Sequence, residues 1–166
     1  VVLGGSIKGQ GNVSPGIEFN FYMDPDAAAI VLNRALLSGT QVTLVPMETV
    51  MENPLTQDWR WNVLGKLNNQ VMAFMNAIEK SQLKRHPQKD YTPYDTYAAS
   101  VALSSDFVIH SQLLYGFVEN RSERTRGALV VDYLNTTSNQ PNLNVVTEVN
   151  INVMKNMLYA DFSNYT

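Results

Sequence analysis

The sequence predicts an α/β fold: a mostly parallel, twisted sheet flanked by helices, with a small antiparallel appendage. Three successive features support this prediction. A short apolar run at residues 1–3 ends on two glycines, a helical pattern follows over residues 24–37, and a second apolar run covers residues 41–47. A strand, a helix and another strand in this order form the βαβ pattern that is typical of parallel sheets.

The composition predicts one compact domain over residues 1–166. A chain of 166 residues, 45% hydrophobic and 16% charged, is long enough for one core and too short for two large domains. The net charge of -3 argues against a nucleic-acid surface. No apolar run approaches the ~20 residues that span a bilayer. We expect neither a nucleic-acid partner nor a membrane partner, and the sequence leaves a homo-oligomer open.

The helix predicted over residues 24–37 has clear start and stop signals. Asp24 suits the N-cap, and Pro25 suits the first helical position. Gly39 is a typical residue at the end of a helix. The predicted buried face consists of apolar residues at helical spacing: Ala28, Val31, Leu32, Ala35 and Leu36.

A longer amphipathic helix is predicted over residues 56–81. Its apolar residues recur at three- and four-residue steps, which indicates a core-facing stripe rather than a ligand-binding surface. The stripe consists of Trp59, Val63, Leu67, Val71, Phe74, Met75 and Ile78. A basic group follows, typical of a solvated face or a hinge: Lys80, Lys84, Arg85, His86 and Lys89.

The remainder of the chain is predicted to be rich in strands and to end in a helix. Residues 107–118 and 125–132 are predicted to form a hairpin around the polar turn 119–123. A further strand is predicted over residues 142–149, and a closing helix over residues 152–162.

The loop after the first strand carries three hydrogen-bonding side chains, Asn12, Glu18 and Asn20. If residues 18–20 are extended, Glu18 and Asn20 point the same way, while Phe19 turns back to pack. One carboxylate and two amides suit a neutral polyol and suit a phosphate poorly. Ligands of parallel sheets bind beyond the carboxyl ends of the strands, where this loop begins. The alternative is structural: the three side chains satisfy buried backbone groups of the loop.

A further candidate, Asp95, lies near the start of a predicted helix. Thr92 suits the N-cap, Pro93 the first helical position, and Asp95 follows Thr92 by three residues. From local sequence alone this spacing favours a capping box, in which Asp95 serves the helix start.

Four features together resemble the inosine–uridine-preferring nucleoside hydrolase family: Gly4-Gly5, Gly11-Asn12, Glu18-Phe19-Asn20 and residues 24–28, in that order and spacing. The resemblance runs from the first residue to about Val149 and covers what looks like the C-terminal half of that family's domain. The family's other half begins with an aspartate cluster that holds calcium and supplies the catalytic base, and nothing in this sequence matches that cluster. We therefore expect residues 1–166 to be a partial domain that is inactive by itself.

The resemblance implies a function: Ca²⁺-dependent hydrolysis of the N-glycosidic bond of a ribonucleoside to base and ribose. It implies a small-molecule nucleoside as the partner. By match to the family's motifs, Asp95 binds both calcium and ribose, and three further side chains hold the ribose hydroxyls: Asn12, Glu18 and Asn20. Leu3 is expected against the sugar and Phe19 near the base.

Tyr94 departs from the family pattern. Many members have a histidine before the calcium-binding aspartate, placed to protonate the departing base. A phenol, with an ordinary pKa near ~10, is a weaker acid at neutral pH than imidazolium. Because it occupies that position, Tyr94 is the candidate proton donor despite its weaker acidity. His86 is a second candidate, although a histidine in such a basic segment is more typical of a surface residue. The alternative function is a homologue that binds ribose or nucleosides without catalysis.

Four Asn-x-Ser/Thr sequons begin at Asn12, Asn120, Asn135 and Asn164. Such sequons are used only in secretory proteins. They leave secretion open without establishing it.

Overall fold

The computed structural model describes residues 1–85 and 90–165. Its main sheet has the strand order β1 (Val2–Leu3), β2 (Val42–Val45), β8 (Leu143–Val149) and β5 (Val108–Leu114). Strands β1, β2 and β8 are parallel, and β5 is antiparallel to β8 at one edge. The predicted α/β fold with a mostly parallel sheet is confirmed. The candidate His86 and the last residue of the fourth sequon lie outside the described residues.

Two further pairs of strands are antiparallel. Strand β6 (Gly116–Val118) pairs with β7 (Leu129–Val131), and β3 (Leu55–Thr56) pairs with β4 (Asp90–Tyr91). The prediction that all of residues 107–118 belong to a hairpin is wrong. Of these residues, only β6 pairs with β7. Strand β5 pairs with β8 instead, and so joins the edge of the main sheet.

Helices cover both faces of the main sheet, and none in the described part of the chain is long and apolar enough to cross a membrane. The α-helices are α1 (Phe19–Met23), α2 (Pro25–Ser38), α3 (Met47–Glu52), α4 (Gln70–Arg85), α5 (Tyr94–Leu103) and α6 (Ile151–Ser163). A π-helical turn at Trp59–Val63 and 3₁₀ turns at Leu64–Lys66 and Ser105–Phe107 join them.

Helix α2 begins and ends where the sequence predicts. The Asp24 carboxylate accepts a hydrogen bond from the backbone N–H of Ala27 at 2.9 Å, and Gly39 has the left-handed φ of 65° that ends the helix. The predicted buried face is partly wrong. Leu32 is buried as expected, but Val31 is 46% exposed.

The continuous helix predicted over residues 56–81 is wrong. The segment starts as a π-helical turn, tightens into a 3₁₀ turn and breaks before α4. Gly65 lies in this break, where a Cβ would come within 2.9 Å of the backbone oxygen of Arg60. Asn69 then restarts the helix, because its side-chain oxygen accepts from the backbone N–H of Met72 at 2.8 Å.

The predicted apolar stripe of this segment is also largely wrong. Phe74 is 65% exposed and Ile78 is 44% exposed. The break changes the helical phase, so that Leu64 and Met72 point inward instead. Arg60 is buried with them.

The core lies on both sides of β2 and β8. Successive side chains of a strand point to opposite faces, so Leu44 and Val145 pack against the α2 side, and Val45 and Val146 pack against the side of α3, α5 and α6. All four side chains are fully buried. This packing fixes the carboxyl ends of β1 and β2, where the polar loop begins.

Asn142 ties three elements together, and its removal is a test of the fold. Its side-chain oxygen accepts from the backbone N–H of Gly116 at 2.9 Å, and its amide group donates to the backbone oxygens of Gly116 and Leu32. We expect Asn142→Ala to lower the free energy of unfolding by about 3 kcal/mol, because buried backbone groups lose their partners. Urea unfolding measures this. Asn139→Ala, an exposed change in the same loop, is the control, and equal effects would contradict the prediction.

Candidate functional site

The candidate site lies where the chain leaves β1. Backbone hydrogen bonds continue the β1–β2 pairing past both strands: Gly4 N–H donates to the oxygen of Val45 at 3.1 Å, and Met47 N–H donates to the oxygen of Gly5 at 3.0 Å. The loop after β1 is therefore anchored at its first two residues. It leaves the sheet at the carboxyl edge, as predicted for a ligand site.

Glu18 joins this loop to the start of α1. Its Oε2 accepts from the backbone N–H groups of Gly5 at 2.8 Å and Phe21 at 3.3 Å, and its Oε1 accepts from Asn20 N–H at 2.9 Å. The side chain is only 5% exposed. A Cβ on Gly4 would lie 3.0 Å from Glu18 Oε2, so a glycine there lets the carboxylate approach.

The prediction that residues 18–20 are extended is wrong, because Glu18 is the N-cap of α1. In a helical turn, residues three apart share a face. Glu18 and Phe21 are therefore buried together, while Asn20 is exposed. Phe19 is 52% exposed and does not turn back to pack.

The two candidate amides each have one end bonded to backbone. Asn12 Oδ1 accepts from Phe19 N–H at 2.8 Å, and Asn20 Nδ2 donates to the backbone oxygen of Leu3 at 3.3 Å. Both amide side chains are exposed, and Leu3 is half-buried. Five predicted site residues thus form one bonded network: Leu3, Asn12, Glu18, Phe19 and Asn20.

Tyr94 lies beside this network. Helix α5 packs next to β1, and Tyr94 and Leu3 pack against the same apolar cluster. Burial raises the pKa of the Tyr94 phenol, and the negative charge of Glu18 raises it further. The phenol therefore keeps its proton at neutral pH and gives it up less readily than an exposed tyrosine.

Asp95 follows Tyr94 in the first turn of α5, and the predicted capping box is wrong. The N-cap is Pro93, whose backbone oxygen accepts from Thr96 N–H at 3.0 Å, and no side chain caps the helix. Asp95 is exposed and has no hydrogen bond or ion pair with any described residue. The network does not bond to it directly, and its carboxylate is free to bind a ligand.

A single carboxylate does not make a calcium site. Calcium takes roughly six to eight oxygen ligands, so the carboxylate of Asp95 has the right chemistry but too few companions. Within residues 1–85 and 90–165, no three His, Cys, Asp or Glu side chains form a group that could hold a metal ion. Among the described residues, Asp95 therefore lacks the acidic companions that a calcium site needs.

The structure also shows a cavity of about 560 Å³ beside Tyr94 that the sequence analysis missed. Trp61, Tyr91 and Tyr94 contribute aromatic rings to its lining, and Gln57 and Glu79 contribute hydrogen-bonding groups. Burial, with the nearby charge of Glu79, raises the pKa of Tyr91 to about 12. A continuous helix over residues 56–81 would not bring Trp61 and Glu79 to one cavity. They line it together because the segment breaks before α4.

A buried arginine supports the wall of this cavity. Arg60 is 1% exposed, and its Nε donates to Glu79 Oε2 at 2.6 Å. Its Nη1 donates to Asn76 Oδ1 at 2.8 Å, and the guanidinium lies 4.5 Å from the centre of the Trp61 ring. Arg60 thus holds an acidic and an aromatic part of the lining in place.

Comparisons with known proteins converge on one family. The family profile described as inosine-uridine preferring nucleoside hydrolase matches residues 1–156. A probable ribonucleoside hydrolase from Dictyostelium discoideum is 28% identical over 158 residues, covering 90% of this chain and 45% of that protein. A pyrimidine-specific ribonucleoside hydrolase from Escherichia coli K12 is 29% identical over 156 residues, covering 90% and 47%. The solved structure of an inosine-guanosine nucleoside hydrolase is similar with a TM-score of 0.90 and 26% identity, over 100% of this chain and 52% of that one. The chain spans about half the length of these relatives.

Gly9 and Gly11 provide a matched test of the loop's geometry. Both have a φ near the left-handed region, at 66° and 67°, but a Cβ on Gly9 would meet nothing, whereas a Cβ on Gly11 would lie 2.2 Å from the backbone oxygen of Ser14. We expect Gly9→Ala to cost about 1 kcal/mol of unfolding free energy, from the backbone conformation alone. Gly11→Ala should cost at least twice as much and speed amide exchange over residues 12–17. Equal effects of the two changes would contradict this reading.

Proposed function

Because the chain belongs to the inosine-uridine preferring nucleoside hydrolase family, we propose that it supplies the ribose-binding half of a site that hydrolyses the N-glycosidic bond of ribonucleosides to base and ribose. The supporting observation is the bonded network at the carboxyl edge of the sheet, which brings Asn12, Glu18 and Asn20 together beside Leu3. We assign the remaining catalytic groups to residues outside this chain. Residues 1–166 are then a partial domain.

The network offers both donors and acceptors to a sugar. The amide nitrogen of Asn12 can donate, and the amide oxygen of Asn20 can accept. Glu18 uses three of its roughly four acceptor positions on backbone groups and retains one for a hydroxyl. Ribose hydroxyls donate and accept, so they suit this set. Bonds that tighten as the sugar flattens towards an oxocarbenium-like state raise the rate, because only preferential binding of the transition state does so.

The base, in this proposal, occupies the cavity beside Tyr94. Trp61 and Tyr91 bring aromatic rings to its lining, and Glu79 and Gln57, already bonded to Arg60 and Trp61, keep further hydrogen-bonding positions. Phe19 is exposed beside the proposed ribose-binding residues Asn12 and Asn20, and would contact the substrate from the side of the loop. The names of the relatives include a pyrimidine-specific and an inosine-guanosine enzyme, so family membership alone does not decide the base.

Asp95 is the ligand that this chain would contribute to Ca²⁺, and it would also contact the ribose. Its exposed, unpaired carboxylate supports this role, and the other ligands would come from outside the described residues. A bound divalent cation would supply a water of lowered pKa for the attack. Asp95 itself would orient the sugar relative to that water.

The function is tested by measuring release of base from inosine and from uridine, with added calcium and with a chelator. We expect the full-length protein to be active only with calcium and residues 1–166 alone to be inactive. Asp95→Asn should lower kcat/KM by more than about 100-fold. Loss of a residue that only orients a metal ligand costs about 10–100-fold, and loss of a ligand itself should cost more. Asp106→Asn changes an exposed aspartate beyond the other end of α5 and is the control. Turnover by residues 1–166 alone would contradict the partial-site proposal.

Tyr94→Phe tests whether the phenol protonates the departing base. General acid catalysis is worth roughly 10²–10⁴-fold, and a buried phenol whose pKa is raised transfers its proton less favourably. We expect kcat to fall by less than about tenfold, because the ring stays in place against the base. Because burial and the charge of Glu18 raise its pKa, the Tyr94 phenol stays protonated at neutral pH. A loss of about 100-fold or more would assign Tyr94 as the proton donor.

The alternative function is a homologue that binds ribose or nucleosides without hydrolysing them. The raised pKa of Tyr94, at the position where many family members have an acid, favours it. Titration with ribose and inosine distinguishes the two: the alternative predicts binding with no release of base from the full-length protein in calcium.

A further inference from the structure

We propose that Glu48 is a positioning residue for the ribose-binding loop, holding the conformation that brings Asn12 to the start of α1. The inference rests on the proposed function and concerns a residue outside the predicted ribose contacts. Glu48 follows β2 in the first turn of α3, at the same sheet edge as the loop after β1. It is 1% exposed, although a carboxylate is costly to bury without partners.

The partners of Glu48 are three consecutive residues of the loop. Its Oε1 accepts from Ser6 Oγ at 2.5 Å and from Lys8 N–H at 2.9 Å, and its Oε2 accepts from Ile7 N–H at 3.1 Å. Residues 6–8 therefore curve around one carboxylate. This arrangement pairs donors that the sheet does not satisfy.

A chain of hydrogen bonds leads from this carboxylate to Asn12. Ser6 Oγ accepts from Gln10 N–H at 2.9 Å, and the backbone oxygen of Gln10 accepts from Gly16 N–H at 3.4 Å. Ile17, next to Gly16, accepts from Asn12 N–H at 3.1 Å through its backbone oxygen. The conformation around Asn12 thus depends on the position of Ser6.

The loop is supported from its outer side as well. Tyr133 Oη donates to the backbone oxygen of Ile7 at 2.6 Å, and Lys8 forms an exposed ion pair with Glu52. Each of these contacts involves one residue of the loop, whereas Glu48 forms hydrogen bonds with three. Among the described residues, the hydrogen bonds of its side chain go to this loop and none goes to the sheet. Loss of Glu48 should therefore release the loop more than it loosens the core.

A carboxylate suits these partners better than an amide does. All three groups are donors, so Glu48→Gln keeps the size but turns one acceptor into a donor that faces another donor. Thr49→Val is the matched control on the next residue. Thr49 is also buried, but its hydroxyl donates to the backbone oxygen of Val146 in the sheet. Both changes remove buried hydrogen bonds, and only one of them touches the loop.

The experiment measures the ribose affinity of the full-length protein in calcium, together with amide exchange and urea unfolding. We expect Glu48→Gln to weaken ribose binding about tenfold and to raise KM for a nucleoside, with faster exchange at residues 7, 8 and 12. Ser6→Ala removes the relay but keeps the bonds to Ile7 and Lys8, so it should weaken ribose binding less. Thr49→Val should lower stability and leave ribose affinity unchanged. If Glu48→Gln does not fold, Ser6→Ala decides the result.

Two results would overturn the inference: wild-type ribose affinity in Ser6→Ala or Glu48→Gln, with or without faster exchange in the loop, or an equal loss of affinity in Thr49→Val. In either case the wild-type protein still binds ribose, so the proposed function stands. A wild-type protein that binds no ribose would overturn the proposed function, and this inference with it.

Discussion

The site depends on the pairing of two buried carboxylates with the backbone of one loop. Where the chain leaves a parallel sheet, its N–H groups lose their regular partners, and buried N–H groups need others. Glu18 accepts from the N–H of Gly5, and Glu48 accepts from the N–H groups of Ile7 and Lys8 and from the hydroxyl of Ser6. Each carboxylate needs these donors in order to be buried, and the loop needs the carboxylates in order to hold one conformation.

This pairing changes how Glu18 is understood. The structural alternative, in which the polar side chains satisfy backbone groups, is correct for three of its hydrogen bonds. Under the proposed function, a carboxylate held in this way accepts from a sugar hydroxyl through its remaining lone pair. The same contacts that build the loop therefore prepare it for binding, which reduces the ordering cost when a ligand arrives.

The comparisons place these features in a family whose relatives are about twice as long as this chain. The three predicted ribose contacts, Asn12, Glu18 and Asn20, lie within the matched residues, and so does the unpaired carboxylate of Asp95. Asp95 does not cap helix α5, so a structural role at the helix start does not account for an aspartate at this position. Under the proposed function, the aromatic cavity beside Tyr94 holds the base and is the region in which base preference would be decided.

The sequence alone predicts the features whose causes are local. Asp24 caps α2 through a residue three positions away, and the apolar runs of β2 and β8 follow from burial on both faces. The bond from Gly5 to Glu18, which spans 13 residues, the break at Gly65 and the pairing of β5 depended on tertiary structure. The same is true of Glu48, whose bond to Ser6 spans 42 residues. Local patterns encode hydrogen bonds between near neighbours, whereas contacts between distant segments arise only when the sheet brings them together.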